Sequence, residues 1–323
     1  MALSFEDHWV WDSWYYPEKV DGLWHAYYLT APKNDIDPEL RHSDARIGHS
    51  TSPDLITWTH RGIVINPGAA GTWNDRAIWT GCLVKSGDGV LHNFYTSTNE
   101  SSEKGLIQRI GSAVGTTFDD FVKTPLALEA DPKLYERLDP ANLEQSKHDN
   151  GWKEEAWRDP WVFFDARDNL WHMLVTARSI GGLSKNRGTV GHLTSKDLVD
   201  WQVLPPLTGK TAFAHLEVLQ VVETSSGWIV VFSTGKGDID PRSGIRQVTG
   251  TYSAPADSPT GPYHFGQAEL VDDGTRYAGR VLQDTDGTFK LLGFQNGGES
   301  GFTGVILDPA TLTVTERRTF KQI

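Results

Sequence analysis

Asp21-Gly22-Leu23-Trp24-His25-Ala26-Tyr27-Tyr28 is a tight-turn dipeptide followed by a run of aromatic and aliphatic residues. Asp and Gly both tolerate positive φ, so the pair is hairpin chemistry in front of a strand. The phrase returns as Asp88-Gly89-Val90-Leu91-His92-Asn93-Phe94-Tyr95 and as Asp168-Asn169-Leu170-Trp171-His172-Met173-Leu174-Val175. It returns again as Ser226-Gly227-Trp228-Ile229-Val230-Val231-Phe232 and Asp286-Gly287-Thr288-Phe289-Lys290-Leu291-Leu292. The Gly or Asn positions lie 67, 80, 58 and 60 residues apart.

A second phrase follows the hairpins. Gly48-His49-Ser50-Thr51-Ser52-Pro53-Asp54-Leu55-Ile56-Thr57-Trp58 is matched by Gly191-His192-Leu193-Thr194-Ser195-Lys196-Asp197-Leu198-Val199-Asp200-Trp201, with weaker versions at 111–121 and 250–263. It reads as a third strand, a turn, and a Trp opening an outer strand. Five such units without long amphipathic helical patterns predict an all-β fold, a five-bladed β-propeller of four-stranded blades. A two-domain β-sandwich fits the strands but not the fivefold register. The expectation is one catalytic propeller over residues 1–323, ending at Ile323 without a C-terminal β-sandwich. The long interval before the third unit falls on Leu126–Glu155, a polar tract read as a loop insertion forming a lid or pocket rim. Short helices are expected within it near Pro132–Leu138 and Pro140–Lys147.

The 323 residues include 13 Trp, 13 Phe and 9 Tyr, enough aromatic mass for the core. Net charge is −12 with no basic stripe, so binding nucleic acid would mean overcoming phosphate repulsion. No apolar run is long enough to span a bilayer. The start, Met1-Ala2-Leu3-Ser4-Phe5-Glu6-Asp7, lacks the basic and apolar regions of a secretory leader, which makes a cytoplasmic location the expectation. Cys82 is the single cysteine, which rules out an internal disulfide. The partner expected is a small carbohydrate, and oligomeric state is left open.

Ten residues before each hairpin Gly or Asn stand Asp12, Trp79, Asp159, Glu217 and Tyr277. In a propeller the strand before this hairpin lines the central channel, so the five side chains are expected to converge on the axis. Asp12 lies in His8-Trp9-Val10-Trp11-Asp12-Ser13-Trp14-Tyr15, a carboxylate ringed by indoles that suit sugar faces. Asp159 follows Arg158 in Trp157-Arg158-Asp159-Pro160, where the guanidinium can hold a hydroxyl or a neighbouring carboxylate. Glu217 stands in the otherwise apolar run Phe213–Leu219, where burial favours the protonated carboxyl that a general acid requires. Two carboxyls flanking a glycosidic bond suffice for its hydrolysis, and a third can stabilise developing positive charge. Trp11, Trp14, Trp79, Arg158, His215 and Tyr277 are the candidate substrate contacts, although buried Trp and His in propellers are commonly plain core. No cofactor is required by this chemistry. No His/Asp cluster has the spacing of a transition-metal site, while a structural calcium is compatible with the sequence.

These residues carry a family resemblance. Val10-Trp11-Asp12-Ser13-Trp14 resembles the nucleophile motif of levansucrases and inulosucrases, and Trp157-Arg158-Asp159-Pro160 resembles the Arg-Asp-Pro motif of fructosyl-processing enzymes. Ile78-Trp79-Thr80-Gly81-Cys82 is similar to the Trp-Ser-Gly-Ser segment of the same clan, glycoside hydrolase families 68 and 32, which includes invertases, levanases and inulinases. The resemblance implies a five-bladed propeller, a retaining mechanism through a fructosyl-enzyme, and β-fructofuranosides such as sucrose, levan or inulin. It implies Asp12 as nucleophile, Asp159 as transition-state stabiliser and Glu217 as acid/base. The chain departs from the invertase pattern in lacking Asn-Asp-Pro-Asn at Asp12 and in following the acid with Val218-Leu219-Gln220. The rivals are an inverting arabinofuranosidase- or xylosidase-type propeller and a sugar-binding propeller without catalysis. A protein-interaction propeller would need no channel-facing acids.

Overall fold

The computed structural model describes residues 2–33, 37–143, 155–297 and 301–323. Its strands among these residues fall into five antiparallel four-stranded sheets, each a simple meander. Blade 1 comprises β1 (His8–Tyr15), β2 (Trp24–Pro32), β3 (Arg46–Ser52) and β4 (Thr59–Ile65). Blade 2 comprises β5 (Ala77–Lys85), β6 (Leu91–Thr98), β7 (Gln108–Gly115) and β8 (Val122–Lys123). Blade 3 comprises β9 (Trp157–Asp165), β10 (Leu170–Arg178), β11 (Gly188–Ser195) and β12 (Trp201–Leu204). Blade 4 comprises β13 (Glu217–Thr224), β14 (Gly227–Thr234), β15 (Gly250–Ala256) and β16 (Glu269–Leu270). Blade 5 comprises β17 (Arg276–Gln283), β18 (Phe289–Gln295), β19 (Ala310–Val314) and β20 (Phe320–Gln322).

The first strands touch in a ring: β1 meets β5, β5 meets β9, β9 meets β13, β13 meets β17, and β17 returns to β1. That is the closed radial arrangement the fivefold repeat predicts, and it leaves only short outer edges. The ring is also tied by a two-bond backbone bridge between Leu3 and Ile306, at 2.9 and 3.0 Å.

The repeated phrases have local causes. Gly22, Gly89, Asn169, Gly227 and Gly287 all hold positive φ in their hairpins, as the turn chemistry demands. In the second phrase Asp54 Oδ1 accepts from the backbone N–H of Ile56 and Thr57 at 2.9 and 2.7 Å, and Leu55 sits at φ 63°. Asp197 does the same for Val199 and Asp200, with Leu198 at φ 65°. The carboxylate satisfies the turn, and the Trp after it packs inward: the Trp201 ring stands edge-on to Phe94 of blade 2 at 5.5 Å.

The insertion differs from its expectation. Pro132–Leu138 is turn and irregular chain, pinned where Tyr135 donates to the Leu204 carbonyl at 2.6 Å and Glu136 N–H to the Arg178 carbonyl at 2.8 Å. Leu134 and Tyr135 N–H both donate to the Asp131 carbonyl at 2.9 Å, one hydrogen-bonded turn that does not continue as a helix where these anchors to blade 3 take over. A single 3₁₀ turn covers Pro140–Asn142, and 144–147 of the second expected helix lie outside the described residues. None of residues 126–143 lines the central cavity, and the rest of the tract proposed as a lid, 144–154, lies outside the described residues as well.

Candidate active site

Each first strand carries a β-bulge toward the same end of the channel. Trp11 and Asp12 lie between the pairs Val10↔Thr30 and Ser13↔Tyr28, and Asp159 and Pro160 between Arg158↔Thr176 and Trp161↔Leu174. Val218 and Leu219, Ala278 and Gly279, and Thr80 occupy the same situation in blades 4, 5 and 2. A bulge adds a residue and re-aims the side chains next to it. Asp159, Val218 and Ala278 hold φ of 57°, 54° and 49°, unusual for non-glycine residues and characteristic of such irregularities. Glu217 and Tyr277 are the last paired residues before their bulges, whereas Asp12 and Asp159 lie within theirs. The ten-residue step along the sequence therefore finds the right strands and the right end of the channel, but not one rung of the ladder.

The bulges surround a cavity of about 530 Å³ lined by all five residues that step reached: Asp12, Trp79, Asp159, Glu217 and Tyr277. Trp11, Leu29, Thr80, Arg158, Val218, Asp238 and Phe294 complete its walls, and Glu39, Arg41, His42, Ser43 and Arg76 form its rim.

Asp12 accepts a short hydrogen bond from the Thr80 hydroxyl. Burial first, and the neighbouring Asp159 second, push its carboxyl up to about 7, against the pull of Thr80. Asp159 is 4% exposed; its Oδ2 accepts from the Val218 N–H at 3.2 Å and lies 3.0 Å from the Thr176 hydroxyl. Burial raises its proton affinity, and the Arg158 guanidinium, with Nε 3.6 Å from Oδ2, opposes that rise. Arg158 Nη2 also donates to Glu217 Oε1 at 2.6 Å, so one buried guanidinium links two carboxylates. The Tyr277 hydroxyl donates to the other Glu217 oxygen in a short hydrogen bond. Glu217 is thus flanked by a cation and a phenol rather than by the apolar surround its sequence neighbours suggested, because Phe213, Leu216 and Leu219 pack into the core and only Val218 joins it at the cavity wall.

Trp11, Trp79 and Phe294 give the cavity aromatic faces. Trp79 is fixed by its indole N–H donating to the His42 carbonyl at 2.8 Å. Two candidate contacts require correction. Trp14 does not line the cavity: it is 1% exposed, stacks with Tyr27 at 6.3 Å, and belongs to the core between blades 1 and 2. A side chain at Gly81 would meet the Phe94 carbonyl at 2.2 Å and Trp14 at 3.1 Å, so this packing is tight. His215 lies behind the wall, with Nδ1 3.4 Å from Arg158 Nη2 and Nε2 3.4 Å from Arg178 Nη1. Arg178 in turn pairs with Glu136 of the insertion at 2.9 Å. His215 supports Arg158 instead of meeting the cavity.

The sequence reading missed Thr80, although it lies inside a quoted segment, and also Asp238 and the rim residues 39–43. Asp238 enters from a 3₁₀ turn, Lys236–Asp238, and burial followed by Glu217 raises its carboxyl to about 6. Among the described residues one trio has metal-ligand proximity, Asp165, Asp168 and His172, with donor atoms within 4.8 Å of one another. Asp165 is paired with Arg167 at 2.5 Å, and the trio stands at the β9–β10 hairpin, outside the cavity. No helix among the described residues is long and apolar enough to cross a membrane.

A five-bladed propeller that brings Asp12, Asp159 and Glu217 from three blades to one mouth has the architecture of a glycosidase. Residues 15–303 match the glycosyl hydrolases family 32 N-terminal domain, and the chain belongs to that family. The match contains Asp159 and Glu217 and begins just after Asp12, whose place in the site rests on the geometry above. An extracellular sucrase of Zymomonas mobilis subsp. mobilis is 24% identical over 351 aligned residues, covering 94% of this chain and 79% of that one. A fructan 6-exohydrolase of Beta vulgaris is 26% identical over 185 residues, covering 57% of this chain and 27% of that enzyme. The chain thus spans about a third or less of the plant relatives it matches. The solved inulosucrase from Halalkalicoccus jeotgali, bound to kestose, shares the fold with a TM-score of 0.77 at 23% identity, covering 99% of this chain and 89% of that one.

Proposed function

We propose that the protein processes β-fructofuranosides, as a hydrolase or fructosyltransferase, by a retaining mechanism. The observation that carries this reading is the convergence of Asp12, Asp159 and Glu217 on one cavity, with Arg158 holding two of them. Ionised Asp12 attacks the anomeric carbon of the fructosyl unit while Glu217 gives a proton to the departing glycosidic oxygen. The C–O bond to the leaving sugar breaks as the ester bond to Asp12 forms. Glu217 then takes a proton from water or from an acceptor hydroxyl, which attacks the same carbon and releases Asp12. Asp159 faces the sugar and offsets its oxocarbenium-like charge. Carboxyl groups perform every step, so dialysis against a chelator is expected to leave turnover unchanged.

The names of the relatives, a sucrase, a fructan exohydrolase and an inulosucrase, agree on fructosyl substrates. The test is incubation with sucrose, a levan and an inulin, with products resolved by chromatography and the first-formed anomer read by NMR. Fructose or new fructosides with retained configuration support the reading. An inverted product, or activity only on an arabinofuranoside, overturns it. The Zymomonas relative is named as extracellular, so the cytoplasmic expectation rests on the first residues alone and is tested by fractionating producing cells.

A further inference from the structure

Arg280 is a buried cation that the chemistry above does not use. It follows the blade 5 bulge on β17, is 2% exposed, and lies below the mouth, where the channel opens into a second cavity. Its Nη1 donates to the Leu219 carbonyl at 2.6 Å and reaches the Val218 carbonyl at 3.3 Å. These are the two bulge residues directly after Glu217, and the N–H of Val218 is the one that holds Asp159 Oδ2 at 3.2 Å. One guanidinium therefore grips the carbonyl side of the turn whose amide side grips a catalytic carboxylate. The guanidinium lies over the Trp161 ring at 5.1 Å, which fixes its plane.

We propose that Arg280 is a positioning residue for the reaction: an axial cation that locks the Glu217–Leu219 turn and balances, from beneath, the negative charge of Asp12 and Asp159. The proposal rests on the fructosidase reading given above. Burial disfavours the Arg280 charge, while Cys82 of β5, Asp159 of β9, and Asp12 and Tyr15 of β1 favour it; β13 offers it carbonyls. The second cavity adds Glu18, Lys85 and Glu223 at its wall. Asp12 itself faces Thr80, Asp159 and Glu217, and Asp159 faces Arg158 and Glu217. Arg158 lines the mouth and is shared with Glu217, whereas Arg280 lines the second cavity. Such a charge costs no reorganisation during turnover, because it is held before substrate arrives.

The test compares wild type with Arg280→Gln and Arg280→Lys by two readouts. The first is NMR titration of side-chain ¹³C-labelled Asp, with Asp12 assigned from Asp12→Asn; it needs no activity. The second is the acid limb of kcat/KM on the fructoside that wild type turns over. Arg280→Gln is expected to raise the Asp12 midpoint and the acid limb together. Arg280→Lys keeps the charge and is expected to keep both near wild type while lowering kcat, since one ammonium cannot grip two carbonyls. An Asp12 midpoint unmoved in folded Arg280→Gln overturns the proposal. If Arg280→Gln does not fold, Arg280→Gln/Asp12→Asn, which removes the cation with a charge it balances, is expected to recover folded protein; failure to recover it also overturns the proposal. A wild type inactive on every fructoside overturns the function assigned above but leaves the NMR test in force.

Discussion

The central channel ends in two cavities of nearly equal size, about 530 Å³ at the mouth and about 540 Å³ at the hairpin end. The same five strands line both. At the mouth they present Asp12, Thr80, Arg158, Asp159, Glu217 and Tyr277. At the hairpin end they present Trp161, Phe163 and Phe164, joined by Tyr16, Trp171 and Phe289 from outside these strands, and the charges there are Glu18, Lys85, Glu223 and Arg280. The bulges lie at the mouth and the regular ladder runs on to the hairpins, where Lys85 pairs with Leu91 and Asp165 with Leu170. Regular pairing gives alternation, which sends apolar side chains between blades and leaves little to converge on the axis. Breaking the ladder once per blade turns polar groups from different strands toward one point. Chemistry at the mouth is thus obtained by irregularity in an otherwise repetitive frame.

The contrast can be broken by substitutions at either end. Asp12→Asn is expected to lower kcat by about four orders of magnitude, as for other lost nucleophiles. The same change bears on stability. A carboxyl whose folded-state pKa is raised to about 7 makes the native state take up protons that the unfolded state has already lost. Its contribution to stability therefore falls as pH rises from the ordinary carboxylate range through about 7. Asp12→Asn should accordingly melt higher than wild type at pH 8, with the gain gone near pH 4, by calorimetry at both values. Glu217→Gln is expected to cost about 10²- to 10⁴-fold on sucrose and far less on fructosyl fluoride, whose leaving group needs little protonation. Equal losses on both substrates would remove Glu217 from the acid role.

Thr80→Val deletes the donor to Asp12 while keeping the shape of the wall. It should lower kcat/KM about tenfold near neutral pH and move the acid limb upward, because the ionised carboxylate loses a hydrogen bond. At the hairpin end, Trp171→Ala should change kcat/KM less than about twofold and cost at most ~2 kcal/mol in urea unfolding, since the ring is only partly buried. A Trp171 variant as damaged in turnover as the Thr80 variant would erase the distinction between the two ends.

The legibility of the sequence follows the same division. The blades could be read because each hairpin is a local event: a turn residue at positive φ, then alternation. The ten-residue step reached Asp159 and Glu217 because hairpin lengths are nearly constant across the blades. Trp14 was misjudged because the bulge at Trp11 and Asp12 breaks the alternation that would have related its face to that of Asp12. Thr80 was unreadable as a partner because its hydrogen bond spans 68 residues. Asp238 escaped because it stands on a short turn with no strand periodicity. Arg280 lies three residues past Tyr277, and nothing local announces that its carbonyl partners are 61 and 62 residues away in another blade.

The closure of the ring has a consequence for how the protein fails. Among the described residues blade 5 is built from β17–β20, and the one backbone bridge the chain start makes to it is Leu3–Ile306. The contact between blades 1 and 5 is therefore a seam, held by packing such as Trp9 of β1 against Phe302, which precedes β19, at 5.4 Å rather than by a shared sheet. Asp12 rides on one lip of that seam and Tyr277, with its hold on Glu217, on the other. Parting the seam would scatter the reacting groups while every blade kept its hydrogen bonds. Turnover then becomes a gauge of ring closure, lost on heating before the β-sheet signal falls.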